Sequence, residues 1–229
     1  MRSASRSVVR SAVVVLALAS CSSASSDPGP ATTATSSTTT VATTTSAPVD
    51  EGPQTVVRVV ADSEVPDAVS ELLDQQPGIE VASMRSVEGA TMAELDESVD
   101  EALAQEPDVL VYSGGTNDLE TGPLQMLEGL EERLARYAAR TCVVMAVPIF
   151  RYERGTDAEV AERTKGTRVL EQAAASAGAR VASYLDVSLA MDDRGEDFFA
   201  EGELGDLHPG TQAYPGIAES IAEQVRACS

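Results

Sequence analysis

Short apolar segments alternate with helical patterns along most of the chain, and this alternation restricts the fold more than any other feature. Three segments rich in β-branched residues are bounded by turn residues. They are TVVRVVA at 55–61, DVLVYS at 108–113 and TCVVMAVPI at 141–149. IEVASM at 79–84 and RVASYLDV at 180–187 are weaker strand candidates. Strands that are apolar on both faces and separated by helices are typical of a covered parallel sheet. The sequence therefore predicts an α/β fold, a three-layer α/β/α sandwich around a five-stranded parallel sheet.

The segments between these strands carry helix signals. Apolar side chains recur at helical spacing between 124 and 137, and again between 214 and 225. Thr91-x-x-Glu94 and Thr156-x-x-Glu159 have the residues of capping boxes, which satisfy the free N–H groups at a helix start. We therefore expect helices to begin near 92 and 157.

The first 20 residues have the features of an export signal. Arg2, Arg6 and Arg10 precede the apolar run AVVVLALA at 12–19, which is too short to span a bilayer. The sequence LASC at 18–21 resembles the bacterial lipobox, and this resemblance implies that Cys21 becomes the lipid-bearing mature N-terminus. The alternative is ordinary secretion with a cleavage site nearby. Both interpretations place the protein outside the cytoplasm, and the first anchors it on the outer face of the bacterial cell membrane, in the cell envelope.

Residues 21–54 are predicted to be a disordered linker. Between 31 and 48 only Val41 lies outside the set Ala, Ser, Thr and Pro. Such a segment buries too little apolar surface to offset its chain entropy. Residues 55–229 are long enough for one folded domain, so the predicted organisation is signal peptide 1–20, linker 21–54 and domain 55–229.

The charge of the chain limits its partners. The chain has 37 acidic and 16 basic residues and a formal net charge of −21. A surface this acidic repels nucleic acid and anionic lipid headgroups, so we expect no nucleic-acid partner and contact with a membrane only through the lipid anchor. The single histidine excludes a histidine-rich zinc site, and no metal or cofactor is predicted. The oligomeric state stays open.

Cys142 and Cys228 are the two cysteines of the predicted domain. In a parallel sheet with returning helices, Cys142 begins the fourth strand and Cys228 ends the last helix, which places both at the bottom of the sheet. An exported protein is exposed to oxidising conditions, so we predict a disulfide between them. Two separately buried thiols are the alternative.

Polar or glycine residues follow several of the predicted strands. Ligands of open α/β sheets bind beyond the carboxyl ends of the strands, so residues there are site candidates. Taken singly, Ser63 is explained as a helix cap, Gly89 and Asn117 as turn residues, and His208 as a loop residue. Together they supply a hydroxyl, a glycine turn, an amide and an imidazole at one edge, which is the set that acyl transfer requires.

These residues resemble the motifs of the SGNH/GDSL hydrolases, a family of serine esterases, lipases and acyl-carbohydrate esterases with a flavodoxin-like sheet. ADSE at 61–64 matches the first motif with Ser63, and Gly89 matches the second. GGTND at 114–118 matches the third motif through Gly115, Asn117 and Asp118, and His208 in LHPG matches the fifth. The resemblance implies a carboxylic ester hydrolase without a cofactor, in which Ser63 is the nucleophile and His208 the general base. It also implies an oxyanion hole formed by the backbone N–H groups of Ser63 and Gly89 and the Asn117 amide, with an acyl ester of a glycan, glycolipid or lipid as substrate.

The chain departs from the family pattern at two motifs. Ala61 and Glu64 replace the glycine and leucine of Gly-Asp-Ser-Leu. In the fifth motif Gly205 stands three residues before the histidine, where the family has aspartate, and the nearest carboxylate is Asp206, two residues before. Asp206 is therefore a candidate for the acid that orients His208, and the other candidates are Glu203, Asp197 and a backbone carbonyl.

Two other functions are compatible with this fold class. The shifted aspartate raises the hypothesis of a catalytically silent lipoprotein that binds envelope glycans or lipids. A flavodoxin-like nucleotide or flavin binder is disfavoured, because the turn after the first strand lacks a Gly-x-Gly-x-x-Gly fingerprint and a phosphate loop.

Overall fold

The computed structural model describes residues 53–121, 123–149, 157–199 and 208–228. Strands and helices alternate along the chain, with a short 3-10 helix (Thr116–Thr121) after the third strand. The elements, in chain order, are β1 (Thr55–Ala61), α1 (Asp67–Asp74), β2 (Ile79–Ser86), α2 (Met92–Leu103), β3 (Val109–Ser113), α3 (Pro123–Ala138), β4 (Cys142–Val147), α4 (Asp157–Ser176), β5 (Arg180–Ser183), α5 (Tyr184–Asp192) and α6 (Tyr214–Arg226).

The five strands form one sheet in the order β2-β1-β3-β4-β5, and every neighbouring pair is parallel. This is the flavodoxin-like strand order. The chain leaves β1 toward β2 on one side and returns to β3 on the other, so the strand order reverses between β1 and β3. Residues at the ends of these strands lie side by side, with Ala61 opposite Ser113. The reversal therefore opens a crevice beyond Ala61, where a ligand site is expected.

Two apolar cores lie on the two faces of the sheet. Val57, Val59 and Ala61 of β1 pack into a core with residues of α1 and α6, whereas Val60 packs with residues of α2 and α3. Alternate residues of a strand point to opposite faces, so a central strand buried on both sides reads as a continuous apolar run. The predicted three-layer architecture is confirmed.

The predicted and observed elements differ most in the fifth strand. The prediction of strand through 187 was wrong, because β5 ends at Ser183 and α5 begins at Tyr184. The Ser183 hydroxyl accepts a hydrogen bond from the Asp186 N–H at 3.1 Å, so this serine caps a helix within an apolar run. The capping box of Thr91 and Glu94 is present at the start of α2. The predicted capping box of Thr156 and Glu159 lies outside the residues whose side chains the structure describes.

Cys142 and Cys228 lie together at the end of the sheet opposite the carboxyl edge. Their Cα atoms are 6.0 Å apart, and their sulfurs are within bonding distance at 2.08 Å. The position matches the one expected for a link between the start of β4 and the end of α6.

The predicted signal peptide, Cys21 and the linker lie outside the described residues, and the boundaries at 20 and 54 stay predictions. Within the described ranges, no helix combines the length and the apolar character needed to cross a membrane.

Candidate active site

Ser63 and His208 meet at the carboxyl edge of the sheet, although 145 positions separate them in sequence. Ser63 follows β1, and His208 precedes α6. The Nε2 atom of His208 lies 2.9 Å from Oγ of Ser63, which is hydrogen-bonding distance. In this geometry an imidazole with unprotonated Nε2 is placed to accept the hydroxyl proton.

The chain around His208 is held by backbone contacts to the segment after α5. Pro209 forms an isolated antiparallel bridge with Phe199, and the Gly210 N–H donates to the Phe198 carbonyl at 2.8 Å. Phe198 is buried and packs against Tyr184 at 6.2 Å between ring centroids. The position of the imidazole is thus fixed by the core beneath it.

Asp62 ties the turn after β1 to the turn after β3. Its side chain is fully buried and accepts hydrogen bonds from the Glu64 N–H at 3.1 Å and from the Thr116 hydroxyl at 3.0 Å. Burial raises the pKa of Asp62 above its usual value, although these two hydrogen bonds and the charge of His208 act in the opposite direction. The carboxyl group next to Ser63 is therefore a structural link between the two turns as well as part of the electrostatic environment of His208.

Glu64 is a second buried carboxyl in the same turn. Its side chain is 6% exposed, and its backbone carbonyl accepts a hydrogen bond from the Tyr184 hydroxyl at 3.1 Å. Burial and the nearby charge of Asp62 raise the pKa of Glu64 well above its usual value. Burial in this turn therefore favours the neutral form of the Glu64 carboxyl group.

The turns after β2 and β3 place hydrogen-bond donors beside Ser63. Gly89 has φ +70° and Gly115 has φ +109°, conformations that favour glycine. Nδ2 of Asn117 donates to the Ala90 carbonyl at 3.0 Å, so the amide is fixed against the turn that contains Gly89. Oδ2 of Asp118 accepts a hydrogen bond from the Met92 N–H at 2.9 Å at the start of α2. The two turns therefore form one connected unit.

Three N–H donors of this unit have no acceptor within the described part of the chain. They are the backbone N–H groups of Ser63 and Gly89 and the second N–H of the Asn117 amide. Unpaired donors at a turn cluster are suited to binding the oxygen of a carbonyl group or an oxyanion.

The candidates for the acid that orients His208 are only partly included in the described residues. Asp206 and Glu203 lie outside them. Asp197 is described and exposed, and its carboxylate accepts a hydrogen bond from the Phe199 N–H at 3.2 Å. Among the described residues no acceptor contacts Nδ1 of His208.

Sequence reasoning overlooked the contact between Asp62 and Thr116. Part of the signal was present, because a carboxylate directly after a mostly apolar strand is expected to be buried and to need donors. Thr116 occupies the variable position of the Gly-x-Asn-Asp motif, and only the structure reveals that its hydroxyl contacts the turn that carries Ser63.

Comparison with known proteins establishes the family. The sequence model of the GDSL-like lipase/acylhydrolase family matches residues 49–214. The chain belongs to the GDSL-like lipase/acylhydrolase family. It is therefore a carboxylic ester hydrolase by family, and the matched span includes Ser63, Gly89, Asn117 and His208. No curated protein matches this GDSL-like sequence.

Solved structures share the fold of this GDSL-like chain at low sequence identity. An acetylxylan esterase from Geobacillus stearothermophilus aligns with a TM-score of 0.58 at 14% identity and covers 77% of this chain and 96% of its own. A lipase/acylhydrolase from Enterococcus faecalis aligns with a TM-score of 0.56 at 18% identity, with coverage of 75% and 95%. A G-D-S-L family lipolytic protein from Veillonella parvula aligns with a TM-score of 0.54 at 15% identity, with coverage of 73% and 96%.

Proposed function

We propose that this protein is a lipid-anchored, extracytoplasmic serine esterase that removes acyl groups through an acyl-enzyme on Ser63. The observation that carries the proposal is the 2.9 Å contact between Ser63 Oγ and His208 Nε2, next to three donors that lack an acceptor among the described residues. A general base within hydrogen-bonding reach of a hydroxyl is the arrangement that activates a serine nucleophile.

The reaction proceeds in two steps. His208 takes the proton of Ser63 as Oγ attacks the ester carbonyl carbon, and the tetrahedral intermediate collapses when His208 returns that proton to the departing alcohol. The acyl group is then bonded to Ser63. A water molecule, deprotonated by His208, attacks the acyl carbon in the second step, and the acid product and free Ser63 hydroxyl are released.

The negative charge that develops on the carbonyl oxygen is stabilised by the N–H groups of Ser63, Gly89 and Asn117. These donors are fixed before the substrate binds, because the Asn117 amide is already bonded to Ala90 and Gly89 is held in its turn. Preorganised donors need no rearrangement during the reaction, which is the main reason why they lower the barrier.

The proposed substrates are acyl esters of envelope glycans, glycolipids or lipids. The predicted anchor at Cys21 supports a substrate in the cell envelope. The structural neighbours include an acetylxylan esterase and a lipase/acylhydrolase, and the first of these supports a short acyl group on a carbohydrate.

Hydrolysis of a panel of p-nitrophenyl esters from acetate to octanoate tests the proposal. We expect saturable turnover that Ser63→Ala and His208→Ala each reduce by at least about a thousandfold, with unchanged thermal unfolding. No turnover of any ester by the native protein, together with glycan or lipid binding that is indifferent to Ser63→Ala, would instead support the catalytically silent binding lipoprotein.

The orienting acid is tested by three matched amide variants, Asp206→Asn, Glu203→Gln and Asp197→Asn. We expect Asp206→Asn to lower kcat by about 10³ to 10⁴, because an orienting acid fixes the imidazole tautomer, and the other two to leave kcat within about threefold. A nearly native kcat in Asp206→Asn would show that another group orients His208 or that Ser63 and His208 act as a dyad.

A further inference from the structure

A cavity of about 300 Å³ lies between the edge of the sheet and α2, away from Ser63 and His208. Its floor is formed by β1 and β2 and its wall by the C-terminal half of α2, and most of its side chains are polar. Arg58 of β1 and Arg85 of β2 both line it, together with Ser83 and Gln105. None of these residues belongs to the candidate active site.

The strand register places the two arginines on the same face of the sheet. Arg58 is paired with Ser83, and Val60 with Arg85, so Arg58 and Arg85 lie on the side on which Val60 packs against α2. β2 is the edge strand, and α2 packs over β1, which leaves this part of the β2 surface open. Two positive charges thus face one open cavity.

Nη1 of Arg58 donates a hydrogen bond to the Ser83 hydroxyl at 2.7 Å. Its Nε–H is buried and has no hydrogen-bond partner among the residues that the structure describes. A buried donor without an acceptor is destabilising, and such groups in folded proteins usually have a ligand, a water or a functional reason. The Nε and Nη2 atoms form the side of a guanidinium that binds carboxylate or phosphate oxygens in bidentate fashion.

Ion pairs with carboxylates are common among the arginines of this acidic chain. Arg133, Arg136, Arg140, Arg168 and Arg194 each lie within 4.0 Å of a carboxylate. Within the described ranges Arg58 and Arg85 are not paired in this way, and neither are Arg180 and Arg226, although the chain has 37 acidic residues. Glu101 also lines the cavity, on the exposed side of α2, without an ion pair to either arginine.

We propose that this cavity is an oxyanion-binding site, in which Arg58 and Arg85 bind a carboxylate or phosphate group. The anion accepts the Nε–H and Nη2–H bonds of Arg58 and neutralises Arg85, while Ser83 holds the guanidinium in place. Glu101 competes weakly with the anion for the same two cations. The site is independent of ester hydrolysis. A failure of this proposal would therefore leave the proposed esterase function unaffected, and the reverse also holds.

Isothermal titration calorimetry with inorganic phosphate and with D-glucuronate, at constant ionic strength, tests the proposal. We expect saturable binding of at least one of them with one site per chain, and the ion that binds distinguishes phosphate from carboxylate recognition. Arg58→Gln and Arg85→Gln should each weaken binding by about tenfold or more, whereas Glu101→Gln should tighten it severalfold. Arg194→Gln, which removes an exposed arginine paired with Glu196, is the matched control and should change nothing.

The variant Asn117→Ala distinguishes this cavity from the candidate active site. If the anion bound to the unpaired donors beside Ser63 instead, Asn117→Ala would weaken its binding and Arg85→Gln would not. Arg85 is exposed, so its variant is expected to fold even if Arg58→Gln does not. The absence of saturable binding by both ions, or binding that is insensitive to Arg85→Gln, would overturn the proposal.

Discussion

At the scale of single residues, the site depends on a few side chains whose partners are far away in sequence. Ser63, His208 and Asn117 are separated by most of the domain, and each is fixed by contacts with another turn or loop segment. Sequence motifs identified these residues because each follows a strand or precedes a helix at the carboxyl edge. The burial of Asp62 indicated that its carboxylate needs donors, but the choice of Thr116 as a donor depends on the register of β1 and β3.

Asn117→Ala tests the role of the amide as an oxyanion donor. We expect kcat to fall by about 10² to 10³ with little change in KM, because a donor aimed at developing charge acts mainly in the transition state. Steady-state kinetics with p-nitrophenyl acetate provides the measurement. Gln75→Ala, an exposed change at the C-terminal end of α1, is the control, and a similar loss in both variants would contradict a specific role for the amide.

At the scale of elements, the sequence predicted the first, third and fourth strands more accurately than the fifth. β1 was predicted with its observed bounds, and β3 and β4 within two residues at each end. β3 and β4 are almost continuous apolar runs, and β1 is interrupted only by Arg58, so their pattern is unambiguous. The segment 180–187 is a weaker apolar run, and its second half forms α5 because Ser183 caps the helix. A hydrogen bond of this kind depends on local geometry that residue type alone does not specify.

The turn between β1 and α1 contains two buried carboxyl groups, Asp62 and Glu64. The variant Glu64→Gln tests how the raised pKa of Glu64 affects the stability of the fold. Because the pKa of Glu64 is raised in the folded state, its contribution to stability is fully present below the pKa of the unfolded chain and is lost as the pH rises toward the folded pKa. The native protein should therefore lose stability relative to Glu64→Gln as the pH rises above the usual pKa of a glutamate, by at most about 1.4 kcal/mol per pH unit. Urea unfolding at a series of pH values measures the difference.

Glu71→Gln, an exposed change on α1, is the control for this comparison and should follow the native pH dependence. If Glu64→Gln also follows it, the pKa of Glu64 is not raised in the folded protein.

At the scale of the whole molecule, Cys142 and Cys228 bring the end of the last helix next to the start of β4, the strand beside the edge strand β5. Strand order and helix direction were sufficient to predict that Cys142 and Cys228 meet, and the structure places their sulfurs at bonding distance. The export signal, the lipid anchor and the linker remain predictions from sequence. The orienting acid was also left open, because residues on a loop are not positioned by strand or helix periodicity.

Replacing both cysteines by serine tests the disulfide. A bond that closes a loop of 86 residues should stabilise the fold by about 2 to 5 kcal/mol. We therefore expect a lower denaturation midpoint for the double variant, and the reduced native protein should resemble it. Detection of two free thiols in the untreated protein, with equal stability of native and variant forms, would contradict the bond.

The central claim is that Ser63 becomes acylated with the help of His208. The most direct measurement is labelling with a fluorophosphonate probe, followed by mass spectrometry of the modified peptide. We predict a single phosphonylated residue, Ser63, with labelling abolished in Ser63→Ala and slowed by at least about a thousandfold in His208→Ala. Labelling at another residue, or labelling of Ser63 at an unchanged rate in His208→Ala, would contradict the account.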